Sequence, residues 1–262
     1  MKTENVIASE AKQSMRIDCF VVAALLLAMT HSVYAADQSL FEQANSKYQA
    51  GDFKAAAAIY QKVVQTGQNT AAVYYDLGNA TVKAGDKGQA LVYYERALKA
   101  APRDKDLLWN IHVLKGALKD KIEDDSFFVW AALREWLAQW TADEIALALS
   151  FFLAVAALWA LVGLFLPPVR GRFSWIRTLS VSGIVLFGAV LAWKVWETKD
   201  PVAIVLDKET YAYYGPSDRE TKAFLLHEGA QGKVQDISGD WIYLSLPNKK
   251  SGWIRKNSSE IV

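Results

Sequence analysis

Few residue pairs in this chain could do chemistry. His227-Glu228 begins the helical motif in which two histidines hold zinc and the glutamate activates water, but the second histidine is absent at the required spacing. The chain has 3 histidines and 1 cysteine. Once the N-terminal segment described below is removed, only His112 and His227 remain and Cys19 is lost. A Ser-His-acid or metal site needs several such groups to converge. No Gly-rich phosphate loop is present, and no pair of carboxylates flanks a recognisable cleft as glycoside hydrolysis would require. The pattern points away from an enzyme and implies no cofactor and no metal. A formal net charge of +1 gives no basic patch for nucleic acid.

The remaining candidates are binding groups, and a repeat sets their spacing. Sliding the sequence by 34 residues aligns Asp37–Thr70 with Ala71–Asp104. Tyr74, Leu77, Gly78, Ala90, Tyr94, Ala97 and Pro102 then fall at the positions of a helical repeat, with Leu40, Ala44, Ala56 and Tyr60 as their partners in the first copy. Ala44, Gly78, Ala56 and Ala90 sit where helices cross too closely for larger side chains, and Gly51-Asp52 and Gly85-Asp86 turn each helix pair. On these residues, 37–121 resembles the tetratricopeptide repeat family, an all-α fold. The first copy departs from the pattern at Val63 and Gln68, where the second has Ala97 and Pro102. Two repeats leave an apolar end face. Asp104–Asp120 covers it as a capping helix, with Leu108, Trp109, Asn110 and Ile111 mimicking Tyr74, Tyr75, Asp76 and Leu77.

The resemblance implies a concave groove for an extended peptide or partner helix. Its positions are Phe41, Asn45, Tyr48 and Gln49 in copy one, and Tyr75, Asn79, Val82 and Lys83 in copy two. Asn45 and Asn79 share one repeat position, where an Asn in related domains grips a partner backbone. An Asn there equally caps or solvates a helix face, and Phe41 and Tyr75 equally suit the core.

After Asp200-Pro201 the texture changes to short runs of period two. Residues 202–206, 211–214, 223–226, 232–237, 241–246 and 252–256 read as five or six strands, separated by Gly215-Pro216-Ser217-Asp218, Ser238-Gly239-Asp240 and Pro247-Asn248. The expectation is a small all-β barrel. Phe224-Leu225-Leu226-His227-Glu228-Gly229, Gly239-Asp240-Trp241 and Ser251-Gly252-Trp253-Ile254 resemble the bacterial SH3-like domain over 200–262. Tyr213 and Tyr214 stand where that family often has Arg. Tyr211, Tyr213, Trp241, Tyr243 and Trp253 form a candidate aromatic ligand face; the alternative is that Trp241 and Trp253 fill the barrel core.

Between the two soluble segments, Ile145 to Trp196 contains no Asp or Glu. Residues 145–166 and 178–196 read as a transmembrane hairpin; at ~1.5 Å per residue the first would span roughly 33 Å, against a hydrocarbon core of about 30 Å. The link 167–177 carries Arg170, Arg172 and Arg177, which favours the cytoplasmic side and puts both flanking segments outside. The N-terminus agrees. Lys2, Lys12 and Arg16 precede an apolar run from Cys19 to Met29 and then Val33-Tyr34-Ala35, the layout of a signal peptide over 1–35 that is cut after Ala35. Residues 127–140, with Val129, Leu133, Trp136 and Trp140 at helical spacing, read as an interfacial amphipathic helix or as one packed on the soluble domain. Thr141-Ala142-Asp143-Glu144 has capping-box spacing.

This order of modules resembles the BatE-like proteins of the Bacteroides-aerotolerance group. That resemblance implies an inner-membrane scaffold with both soluble domains in the periplasm, working beside von Willebrand A-domain membrane proteins and a MoxR-type ATPase in envelope stress tolerance. From the residues alone, the reading is a periplasmic adaptor fixed to the lipid bilayer that binds protein partners. The alternative is a wall-binding adaptor that grips peptidoglycan with the SH3-like domain and recruits a wall enzyme through the repeats.

Overall fold

The computed structural model describes residues 39–120, 132–133, 136–165, 174–197 and 201–262. The signal-peptide region 1–35, half of 127–140 and Arg170 and Arg172 of the link therefore lie outside the described residues. The chain divides into two compact units that meet in sequence between Gly85 and Asp86.

The first unit is helical: α1 (39–49), α2 (Phe53–Gln65) and α3 (Ala71–Ala84). The starts of α2 and α3 are each set by a side chain that accepts an otherwise unpaired N–H. Asp52 accepts from Ala55 N and Thr70 from Val73 N, both at 3.3 Å. Gly85 ends α3 with φ of 96°, a left-handed conformation that suits glycine. Ala44, Ala56, Tyr60, Val63, Val73, Leu77 and Ala80 are buried. Val63, where the first copy departs from the repeat pattern, is as fully buried as its counterpart Ala97.

The second unit opens with α4 (Lys87–Ala100) and α5 (Lys105–Gly116), capped by Asp86 and Asp104. Two long apolar helices follow, α6 (Ala142–Phe165) and α7 (Ser174–Glu197), and both are long and apolar enough to cross a membrane. The capping box at the start of α6 is complete. Glu144 N donates to Thr141 Oγ1 at 3.2 Å, and Thr141 N donates to Glu144 Oε2 at 2.9 Å. The helices pack against each other where Phe152 crosses Gly183, and Phe152 stacks on Phe187 at 5.6 Å. A Cβ on Gly183 would meet the Phe152 ring at 2.4 Å, whereas one on Gly188 would meet nothing within 4 Å.

The chain ends in an antiparallel sheet with the order β3-β2-β6-β5-β4-β1-β7. Its strands are β1 (Val202–Val205), β2 (Glu209–Tyr213), β3 (Lys222–His227), β4 (Gln231–Ser238), β5 (Trp241–Ser245), β6 (Ser251–Arg255) and β7 (Ser259–Ile261). The sheet thus has seven strands, not five or six. The seventh follows a single 3₁₀ turn, Lys256–Ser258, and pairs with β1. Three residues are too short to show alternation in the sequence. Ala203, Val205, Ala212, Leu226, Val234, Ile242, Leu244 and Ile254 bury one face as a common core.

Candidate binding surfaces

Three side-chain clusters are built on this frame. The first lies on α1 and α3, where the groove residues were sought. Asn45 does not stand free: its Oδ1 accepts the Tyr60 hydroxyl at 2.5 Å. Phe41 packs edge-on against the Tyr60 ring with centroids 5.7 Å apart, and Tyr48 does the same against Phe53 at 5.2 Å. The copy-one residues therefore meet side chains of α2 as well as presenting partly exposed surface. Tyr75 and Asn79 are half-buried on α3, and Lys83 is exposed near its end. Asp76, which the sequence did not single out, joins this cluster. Burial raises its carboxyl above the usual range. Tyr60 is pushed up to about 12, first by burial and then by the charges of Asp76 and Tyr48.

The second cluster is the outer face of the sheet. Strand alternation puts Ala212, Ile242, Leu244 and Ile254 in the core and sends Tyr211, Tyr213, Trp241, Tyr243 and Trp253 to the other side. Cross-strand pairing aligns Tyr213, Trp253 and Tyr243 in one row across β2, β6 and β5. Tyr243 and Trp253 lie 5.1 Å apart and Tyr213 and Trp241 5.4 Å apart, edge-on in the second case. Lys222 sits over Tyr211 at 3.8 Å and Arg255 over Trp241 at 5.0 Å. Arg255 also pairs with Asp218. Trp241 is buried, yet by neighbours on this outer face, and neither tryptophan belongs to the core cluster.

The third cluster joins α4 and α5 to the sheet, and it absorbs the His-Glu pair. Glu228 Oε1 accepts from Gly88 N at 2.7 Å, which places a carboxylate at the N-terminus of α4, where the helix dipole favours it. Gly88 lets β1 approach: an added Cβ would lie 2.8 Å from Val205 O. Asp86 nearby is held above the usual carboxylate range by burial, an effect its bond from Gln89 N opposes and the Glu228 charge reinforces. Gln89 Nε2 and Arg96 donate to the two oxygens of Glu260 at 2.8 and 2.5 Å. Glu95 Oε1 accepts from Gln231 at 3.0 Å and from Lys115 at 2.9 Å. At the far end, His227 N donates to Asp120 Oδ2 and His227 Nδ1 meets Asp120 Oδ1, each at 2.7 Å. Leu118 packs against Gly229, whose φ is +85°. His227, Glu228 and Gly229 thus act as a clamp on the helix pair. Among the described residues, no three His, Cys, Asp or Glu side chains gather as a metal site.

The third cluster has a topological consequence. Helices α4 and α5 precede the apolar pair and the sheet follows it, yet their side chains touch. Segments in contact share one side of any membrane the intervening helices enter. These partners stand 107 to 171 positions apart, so no local spacing in the sequence announces them.

A tetratricopeptide repeat family model matches residues 47–112, from the end of α1 through most of α5. No curated protein matches the chain. Among solved structures, the chain is similar to a crystal structure of an NlpC/P60 family protein from Bacillus cereus ATCC 10987, at 19% identity with a TM-score of 0.21. That likeness covers 26% of this chain and 22% of the Bacillus protein, well under two thirds of its length.

Proposed function

We propose that this chain is a membrane-held protein-interaction scaffold, not an enzyme. The observation that carries the reading is the contact of α4 and α5 with the sheet, which supports a tetratricopeptide segment and a β module held on one side of two membrane-length helices. In this reading residues 1–35 are a cleaved signal peptide, Arg170, Arg172 and Arg177 keep the link 167–177 in the cytoplasm, and both modules work in the periplasm at the inner membrane. The sheet is an SH3-like barrel. The whole is a BatE-like member of an aerotolerance or envelope stress complex, whose groove holds von Willebrand A-domain membrane proteins. The cytoplasmic link is too short to hold a MoxR-type ATPase alone, so that enzyme is reached through another membrane partner. Confinement to one membrane raises the effective concentration of partners without further contacts.

Crosslinking from a photoreactive probe at Lys83 in intact cells tests this. Capture of A-domain membrane proteins, lost when Asn79→Ala is added to the probe-bearing protein and the domain remains folded, is the expected result. Capture of wall enzymes alone rejects it for a second reading, which the outer aromatic row favours: Tyr213, Trp253 and Tyr243 offer ring faces to the sugars of peptidoglycan. That reading requires the detergent-solubilised chain to pellet with purified peptidoglycan and the Trp253→Ala variant not to.

A further inference from the structure

Helix α5 leaves one face bare. Leu107, Ile111 and Leu114 are buried, whereas Trp109 and Val113, one turn apart on the opposite side, are 66% and 51% exposed, and Leu108 on the flank is 41% exposed. A helix that ends a repeat stack ordinarily turns a polar face outward. This one does not.

Both ends of α5 are tied to elements bordering the apolar helices. At its start Arg103 makes two bonds to Glu144, at 2.8 and 2.9 Å, and lies 5.0 Å from the Trp140 ring. Glu144 is in the first turn of α6. Beyond its end, Leu118 and Asp120 are held by the sheet, whose first strand begins at Val202, shortly after α7 ends at Glu197. Five extended residues reach at most about 18 Å. Lys194 of α7 donates to the carbonyls of Leu137 and Trp140, which brings that end of α7 to the segment carrying the exposed Trp136 and Trp140. One border of the helix pair therefore gathers Trp136, Trp140, Arg103 and the anchor at the start of α5.

We infer that α5 lies in the headgroup layer with Trp109 and Val113 turned toward the acyl chains and Leu108 at the flank, continuing an aromatic belt that Trp136 and Trp140 begin. The occupant of the bare face is lipid. This inference rests on the reading of α6 and α7 as membrane spans. The exposed Lys105 at the start of α5 adds a cation facing anionic headgroups.

The test uses full-length protein with Cys19→Ser in nanodiscs of phosphatidylethanolamine and phosphatidylglycerol, with one nitroxide at a time on Trp109→Cys, Leu153→Cys or Lys99→Cys. Leu153 is exposed on α6 and Lys99 is exposed on α4. The ratio of oxygen to nickel-chelate collisions at 109 should be several-fold above that at 99 and below that at 153, and Val113→Cys should repeat the pattern. A ratio at 109 equal to that at 99 overturns the inference while a lipid-exposed 153 leaves the spans intact. Low collision with both reagents at 109 also overturns it, because protein then covers the face. An aqueous 153 overturns the spans and the inference together.

Discussion

Replacing Gly229 with alanine probes the clamp between helix and sheet most directly. The backbone there has φ of +85°, which for an L side chain costs about 1–2 kcal/mol. The new methyl would also lie 2.6 Å from both Leu118 methyl carbons, and overpacking of that kind costs about 1–3 kcal/mol. The sum is about 2–5 kcal/mol. Gly239 provides the control: its φ is +58° and a Cβ there meets nothing within 4 Å, so Gly239→Ala should lose only the backbone term. Leu118→Ala alone costs about 2–4 kcal/mol as a buried truncation, but it also removes the obstacle. The double variant should therefore be about 1–3 kcal/mol more stable than the sum of the singles predicts. Denaturant unfolding in detergent micelles, followed by tryptophan fluorescence, measures all four proteins. If Gly229→Ala costs no more than Gly239→Ala, or if the two changes simply add, Leu118 does not rest on Gly229. The clamp then loses its apolar contact and rests on the bonds of His227 and Glu228 alone.

Two further predictions follow from the packing. The Tyr60 hydroxyl, pushed up to about 12, stays protonated in the folded protein after the unfolded chain has lost its proton; its contribution is full below pH 10 and is lost as pH rises toward 12. Two pKa units correspond to about 3 kcal/mol at most, and solvent near the half-exposed Asn45 reduces this to about 1–2 kcal/mol; denaturation midpoints of Tyr60→Phe protein should fall less steeply over that window, and parallel profiles would refute the assignment. Gly183→Leu should destabilise the apolar helix pair by about 1–3 kcal/mol through Phe152, while Gly188→Ala should be neutral. Thermal unfolding in micelles decides between them, and greater sensitivity at Gly188 would mean that the helices pack through the other stripe.

Local signals made much of the fold legible. Asp52, Thr70, Asp86 and Asp104 cap the helices they precede, because capping depends on a few adjacent residues. Tyr211, Tyr213, Trp241, Tyr243 and Trp253 share a face because strand period is local too. The strand Ser259–Ile261 was not legible: its pairing partner, Val202–Val205, is remote, and three residues carry no period. The role of His227-Glu228 was illegible for the same reason. Its partners, Asp120 and Gly88, become neighbours only when the chain folds. The contact of Gly183 with Phe152 was not legible either, since residue size alone does not say which side of a helix faces its neighbour. Asn45 was placed on a groove by repeat position, and its bond to Tyr60 depends on a rotamer that no alignment of two copies could specify.

The clamp also orders events in time. Asp120 and His227 stand 107 positions apart, with both apolar helices between them. On the proposed topology the sheet cannot reach Asp120 until the second apolar helix has crossed back, so a chain stalled after one crossing leaves its β module on the wrong side. Gly88, Asp120 and Leu118 then remain uncovered. Completion of the clamp is thus a molecular record that insertion has finished, and the uncovered surface of a half-inserted chain is a mark by which quality control can distinguish it.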